Sequence, residues 1–416
     1  MRNVFDQYSQ PENKLTHALC CTLSHDRSLL RPFLNWLGLR DIPATDQLKV
    51  VQQHIPGRRA DEELQQKTVA GLPDLMIHTD DGWAVAFEAK VTSRLTVSQL
   101  NRHRTSVVKS GFDNPIIVAI TVEPPSCVLP DGTLLVLWTD LHSWFSQRRT
   151  SSTWARSFLE YMELFEARAD RDKYIIEGKL TMFDGLHFDE KTPFTYLSGK
   201  RLLKKLGDEL QGSPDLQSSI GIDANGKRRP AITDDEGVWD FIPLRIARDQ
   251  DFVRFPHLTM VLRESEAVAA IVVPNGVSGG FRTRLKECGL NEFIELLQEI
   301  ERRLRPVIRR SEDSKPLIYA TQRHYLSQKS KPQIDGLLKA DLRTCIDSDS
   351  PVKYQPQWIE SLFSLLVNKR SNIQFGIDVE FSYSCPIVQT AKVVDLFVEA
   401  WKAMSPLLEL VLAEKP

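Results

Sequence analysis

Two hydrophobic periodicities alternate along the first 145 residues of the chain. A repeat near 3.6 residues predicts amphipathic helices at 12–23, 96–109 and, after a polar break at 148–153, at 154–169. Alternating or short apolar runs predict a hairpin at 72–91 and strands at 116–122 and 133–138. Helices and strands in this order are typical of a layered α/β domain.

The pattern changes beyond residue 170, where glycine and proline become frequent between residues 199 and 230. Strand-like runs follow at 239–245, 258–262, 267–273, 317–325 and 373–383. Helical runs separate them at 290–304, 356–367 and 390–412. We therefore predict an α/β domain over 1–170 and an α+β domain over 171–416, the second serving recognition, regulation or dimerisation.

The hairpin at 72–91 is the most informative segment. Its turn, Asp80-Asp81-Gly82, ends in glycine, which takes a positive φ without steric cost. With this three-residue loop, the numbers of facing residues sum to 162, so that Asp74 is predicted to lie opposite Glu88. Lys90 shares their face, because side chains two residues apart on a strand point the same way. Three charged groups thus converge on an apolar hairpin.

Pro73-Asp74, a gap, and then Glu88-Ala89-Lys90 resemble the motif of the PD-(D/E)XK nuclease superfamily. The resemblance covers the N-terminal third of the chain and includes the order of the elements: helix, Asp strand, Glu-x-Lys strand, helix, strand, strand. It implies a restriction-endonuclease-like fold, in which helices flank a mixed central sheet. It also implies hydrolysis of phosphodiester bonds in nucleic acid, with DNA favoured over RNA.

The same resemblance suggests two further catalytic residues, Glu12 on the first helix and Gln99 on the helix after the lysine strand. Each has a structural alternative, because Ser9-x-x-Glu12 and Thr96-x-x-Gln99 both fit the capping box of a helix N-terminus. Against that alternative, Glu12 lies on the apolar stripe of its helix.

Asp74 and Glu88 are suited to Mg²⁺, a hard cation that takes oxygen ligands and keeps several waters. Mn²⁺ is expected to substitute for it, and the Ala89 carbonyl is a third candidate ligand. Lys90 is placed to orient the attacking water or to stabilise the transition state. The structural alternative is an aspartate that opens a strand after proline, with Glu88 and Lys90 forming an exposed ion pair.

Charge supports a nucleic-acid partner only locally. The chain has 53 basic and 55 acidic residues, a net charge of −2. The stretch 89–112, however, holds five lysines and arginines and no acidic residue. Phosphate contacts position nucleic acid without reading its sequence. The candidates for such contacts are Lys109, Arg94, Arg102 and Arg104, and the alternative is a solvated helix face.

Composition excludes several other classes of protein. With 416 residues, 42% of them hydrophobic and 26% charged, the chain is expected to form folded domains and no disordered or fibrous structure. No apolar run reaches the length of a membrane span, and the N-terminus has no apolar signal region. The six cysteines lack zinc-type spacing. We expect a cytoplasmic protein without a membrane partner.

Three functional hypotheses follow. The first is a stand-alone Mg²⁺-dependent nuclease, which would suit bacterial anti-phage defence or restriction. The second is an idle nuclease fold that binds nucleic acid or acts as a sensor. The third is a nuclease subunit that is active only within a homodimer or a larger defence complex; no Walker-type loop is present to drive it with ATP.

Overall fold

The structure is a computed structural model that describes residues 5, 8, 10–53, 72–172, 176, 178–226, 228, 230–234, 236–247, 253–277, 280–327, 333–346, 352–368 and 372–413. The chain forms two compact units, Met1–Met182 and Phe183–Pro416. The division predicted after residue 170 lies inside the first unit. Within the described ranges, no helix has both the length and the apolar character needed to cross a bilayer.

The first unit is a mixed sheet flanked by helices. Its helices are α1 (Pro11–His25), α2 (Leu30–Trp36), α3 (Val97–Lys109), α4 (Trp138–Ser146) and α5 (Thr153–Asp172). Its strands are β1 (Lys49–Gln52), β2 (Leu75–His78), β3 (Ala84–Ala89), β4 (Ile116–Thr121) and β5 (Thr133–Leu137). The mixed sheet with flanking helices that was predicted for this part of the chain is confirmed, and β1, α2 and α4 are additions to the prediction.

The five strands lie in chain order, β1-β2-β3-β4-β5. The β1–β2 and β2–β3 pairs are antiparallel, whereas β3–β4 and β4–β5 are parallel. One face of the sheet, which includes Ile77 and Phe87, packs with the buried residues of α1, α2, α4 and α5. The other face, which includes Met76 and Ala86, packs with α3. Successive residues of β3 therefore point alternately into two separate cores.

The predicted hairpin register is confirmed. Leu75 pairs with Phe87 and His78 with Ala84, so that facing residue numbers sum to 162. The Thr79 N–H donates to the Trp83 carbonyl oxygen at 3.0 Å and closes the turn. Gly82 has a φ of 88°, in the left-handed region that favours glycine.

The second unit is built on an antiparallel sheet of the order β11-β10-β12-β9-β8-β7-β6. Its strands are β6 (Ile232–Thr233), β7 (Gly237–Pro243), β8 (His257–Arg263), β9 (Glu266–Val273), β10 (Lys315–His324), β11 (Gln333–Asp341) and β12 (Ile373–Ser382). Its helices are α6 (Tyr196–Gln211), α7 (Pro214–Ser219), α8 (Phe281–Arg310), α9 (Pro356–Leu366), α10 (Val393–Met404) and α11 (Pro406–Leu412). One apolar core joins helices and sheet.

The five strands predicted in this unit are confirmed, but two helix predictions need correction. The single helix predicted at 390–412 is two helices that break at Pro406, because proline lacks the N–H that the preceding turn requires. The helix predicted at 290–304 is part of the longer α8, which kinks at Gly289 with a φ of 83°. Helices α6 and α7 and strands β6 and β11 were not predicted.

Candidate active site

The face of the hairpin that packs with α3 carries Asp74 and Glu88. The Asp74 N–H donates to the Phe87 carbonyl oxygen at 2.9 Å, directly before Leu75–Phe87, the last pair of the β2–β3 ladder. Asp74 Oδ2 accepts a 2.8 Å hydrogen bond from the Ala89 N–H. The Ala89 side chain is buried in the opposite core, as predicted. The backbone of β3 therefore holds the Asp74 carboxylate against the strand that bears Glu88.

Glu88 is a buried carboxylate with a cationic or polar partner on each oxygen. Lys90 Nζ lies 2.7 Å from Glu88 Oε1, and His103 Nε2 lies 2.8 Å from Glu88 Oε2. The Glu88 side chain is only 5% exposed, and those of Lys90 and His103 are 13% and 4% exposed. This ion pair is not the exposed pair of the structural alternative, because its members lie under the surface of the unit.

The two carboxylates differ in acidity for physical reasons. Burial, followed by the nearby negative charge of Glu88, raises the pKa of Asp74 to about 7. Burial also acts to raise the pKa of Glu88, but the hydrogen bond and charge of His103, together with those of Lys90, outweigh it and hold that pKa below its usual value. As the pH falls through about 7, the pair therefore takes up its first proton mainly on Asp74.

Glu12 reaches the end of β3 from the other face of the sheet. Its Oε1 accepts from the N–H groups of Thr92 and Ser93 at 3.0 and 3.2 Å and from both of their hydroxyls at 3.0 Å. Burial acts to raise the pKa of Glu12, and the hydrogen bonds from Thr92 and Ser93 outweigh it, so that the pKa is lowered. Gln10 occupies the N-cap position of α1 without a side-chain capping hydrogen bond, and Ser9 lies outside the described residues. Glu12 thus fixes the loop that directly follows Lys90.

Gln99 occupies the capping position at the start of α3. Thr96 is the N-cap, and its hydroxyl oxygen accepts from the Gln99 N–H at 3.4 Å. The Thr96 hydroxyl donates to the Gln99 side-chain oxygen at 3.1 Å. The hydrogen bonds that the structure describes for Gln99 therefore lie within the helix cap, and its catalytic role stays a prediction.

His103, one helical turn after Gln99, was a candidate phosphate contact in the sequence, and its contact with Glu88 was not predicted. It lies on the buried stripe of α3, between Leu100, three residues before it, and Val107, four residues after it. A lone histidine on an apolar stripe carries a weak signal, since most such residues are ordinary core side chains. The stronger signal is the hairpin face, because α3 must cover the face that carries Glu88.

The predicted phosphate-contacting residues lie on and before α3. Arg94, Arg102 and Lys109 are exposed, and Arg104 is half-buried. Arg102 and Lys109 are seven residues apart, so they lie on one side of the helix. Arg102 and Lys109 thus place positive charge on the surface of α3, the helix that carries His103.

The donor set fits a divalent cation. One of the two carboxylates, Asp74, has a raised pKa because it is buried and because the charge of Glu88 is beside it, and a divalent ion bound between the two would offset both effects. Among the residues that the structure describes, no cluster of three or more His, Cys, Asp or Glu side chains is arranged to hold a metal ion. Mg²⁺ does not require such a cage, since it is commonly bound by one or two carboxylates, waters and substrate phosphate.

Comparisons of the chain with protein-family models, with characterised proteins and with solved structures gave no match. The site must therefore be interpreted from its own geometry.

Proposed function

We propose that the unit Met1–Met182 is a metal-dependent nuclease with a restriction-endonuclease-like fold, a member of the PD-(D/E)XK superfamily that the sequence resembles. One observation carries the proposal: the Asp74 carboxylate accepts a 2.8 Å hydrogen bond from the N–H of Ala89, the residue next to Glu88, and the Lys90 ammonium is 2.7 Å from Glu88 Oε1. The order of the elements, from α1 through the β2–β3 hairpin to α3, β4 and β5, supports it as well.

In this proposal Asp74 and Glu88 hold Mg²⁺ or Mn²⁺, and the Ala89 carbonyl is the third protein ligand. The bound cation would lower the pKa of a water and neutralise charge on the phosphate. Lys90 supplies a second positive charge beside the reacting phosphate, where an ammonium stabilises the developing negative charge. Glu12 keeps the backbone after Lys90 in place, so that the ammonium is presented at a fixed point.

The exposed basic residues of the α3 segment provide the substrate contact. Arg94, Arg102 and Lys109 lie in the stretch 89–112, which has no acidic residue, and they suit the phosphates of nucleic acid. Duplex DNA is the substrate we favour, and cytoplasmic defence or restriction is the role. The unit Phe183–Pro416 would then recognise a partner, dimerise or regulate cleavage.

Cleavage assays test the proposal directly. The purified full chain is incubated with plasmid DNA, single-stranded DNA and RNA in Mg²⁺, in Mn²⁺ and in EDTA. We expect cleavage only with the metal, and loss of cleavage in Asp74→Ala and Lys90→Ala. Asp80→Ala, an exposed aspartate at the turn of the same hairpin, is the matched control and should cut normally. Cleavage that survives in Asp74→Ala or in EDTA would refute the assignment.

One observation favours a second candidate, an idle nuclease fold that binds nucleic acid. Both oxygens of Glu88 already have partners, Lys90 and His103, so the carboxylate is balanced without a metal ion. Titration calorimetry with Mn²⁺ separates the two candidates. A protein that binds DNA in EDTA but takes up no Mn²⁺ would be the idle fold.

A further inference from the structure

We propose that His103 is a positioning residue for the metal ligand Glu88, an inference that rests on the nuclease function proposed above. The histidine lies on α3, outside the hairpin that carries the motif. Its Nε2 is 2.8 Å from Glu88 Oε2. An ionised carboxylate only accepts hydrogen bonds, so Nε2 must be the donor of this pair.

The two partners of Glu88 differ in rigidity. Lys90 contacts Oε1 through a flexible four-carbon chain that begins on the same strand. His103 has two side-chain torsions, is 4% exposed and lies between Leu100 and Val107 on a stripe that packs against the sheet. The helix is itself fixed by its Thr96 cap. His103 therefore sets the position of Glu88 Oε2, whereas a bound cation can replace the Lys90 contact with Oε1.

Holding one oxygen gives the carboxylate a single orientation before the cation binds. A glutamate side chain that is free to rotate must lose that freedom on binding, which weakens the affinity for the metal. Residues that orient metal ligands typically contribute about 10-fold to 100-fold to metal affinity. A leucine at position 103 would satisfy the apolar stripe of α3, so core packing alone does not require histidine there.

His103 makes this contact through one nitrogen. Its Nδ1 is buried and has no hydrogen-bond partner among the described residues. Glutamine, whose amide nitrogen lies at about the distance of Nε2 along the side chain, can therefore replace the contact. His103→Gln retains a donor to Glu88, whereas His103→Leu retains the packing and removes the donor.

The test measures Mn²⁺ binding to the full chain by titration calorimetry and, in parallel, cleavage as a function of Mg²⁺ concentration. We expect His103→Leu to raise the Mn²⁺ dissociation constant about 10-fold or more, with His103→Gln remaining within about 3-fold of the unmodified protein. The half-saturating Mg²⁺ concentration should rise in parallel, whereas the cleavage rate at saturating Mg²⁺ should change far less. Val107→Ala, which loosens the same stripe without touching Glu88, is the matched control.

Circular dichroism checks that each variant is folded. Equal Mn²⁺ affinity in His103→Leu and the unmodified protein would overturn the inference, as would an equally large loss in Val107→Ala. Failure of the unmodified protein to bind Mn²⁺ would overturn the metal site itself and this inference with it. The outcomes are therefore distinguishable, since the first two presuppose a working metal site.

Discussion

Replacing Asp74 by asparagine removes a charge and keeps the local hydrogen bond. The asparagine oxygen can still accept from the Ala89 N–H, as Asp74 Oδ2 does at 2.8 Å. In the folded protein the pKa of Asp74 is about 7, compared with 3.8 for an ordinary aspartate. At about 1.4 kcal/mol per pKa unit, ionising Asp74 costs the folded state up to about 4 kcal/mol. Partial exposure and the shared proton with Glu88 reduce this, so we expect about 2–4 kcal/mol.

The sign of the effect follows from where the proton is bound. Between pH 4 and 7 the folded protein holds a proton on Asp74 that the unfolded chain releases, so the free energy of unfolding falls as the pH rises. Above a pH of about 7, the approximate pKa of folded Asp74, both states are ionised and the penalty is complete. Asp74→Asn lacks this penalty. The free energy of unfolding of the variant should therefore equal that of the unmodified protein near pH 4. Near pH 8 it should be higher by the full cost of ionising Asp74.

Scanning calorimetry in EDTA at several pH values measures this difference. For a unit of this size, 1 kcal/mol shifts the Tm by about 2–4 °C, so the transition of the unit Met1–Met182 should rise by roughly 5–15 °C at pH 8. Asp113→Asn, an exposed aspartate of the same unit, serves as the control and should not change the pH dependence. Saturating Mg²⁺ should stabilise the unmodified protein more than Asp74→Asn. A stability difference that does not vary with pH would refute the reasoning.

Three other predictions concern the contacts around the site. Thr96→Ala should cost about 1 kcal/mol of stability through loss of the helix cap. Gln99→Ala should leave the Mn²⁺ affinity measured by calorimetry unchanged. Weaker Mn²⁺ binding in Gln99→Ala would show that Gln99 does more than cap the helix. Glu12→Ala should lower the free energy of unfolding by denaturant by about 2–3 kcal/mol, because the N–H groups of Thr92 and Ser93 lose a charged acceptor. Unchanged stability would contradict the role of Glu12 in fixing the loop after Lys90. Arg102→Gln and Lys109→Gln should each lower the salt dependence of duplex DNA binding by about one counterion, measured by fluorescence anisotropy; an unchanged slope would remove α3 from the interface.

The hairpin could be derived fully from the sequence, because its geometry is local. Gly82 fixes the turn, the turn fixes the register from His78–Ala84 to Leu75–Phe87, and that register predicts Asp74 beside Glu88. Strand alternation then assigns Lys90 to the same face and Ala89 to the opposite core. None of these steps requires knowledge of distant parts of the chain.

Contacts across the fold could not be derived in this way. The choice between a site role and a cap for Gln99 depends on where α3 lies over the sheet, and no pattern within the helix specifies that position. The contact between His103 and Glu88 depends on the same packing. In the second unit, β11 was missed because its exposed residues lack an apolar alternation, and α6 was missed because its glycines, Gly199 and Gly207, suggested a loop.

The end of β3 is held from both faces of the sheet, which explains how the site is built around so short a motif. From one face α3 contributes His103 to Glu88; from the other, α1 contributes Glu12 to the loop after Lys90. The residue between the two site positions, Ala89, points into the core beneath α1 and is fully buried. Because a strand alternates strictly, the acid and the amine must be separated by one residue that suits the core. The Glu-x-Lys spacing is therefore a requirement of the strand. Helix α3 contacts the acid of this motif, and helix α1 contacts the loop that follows its lysine.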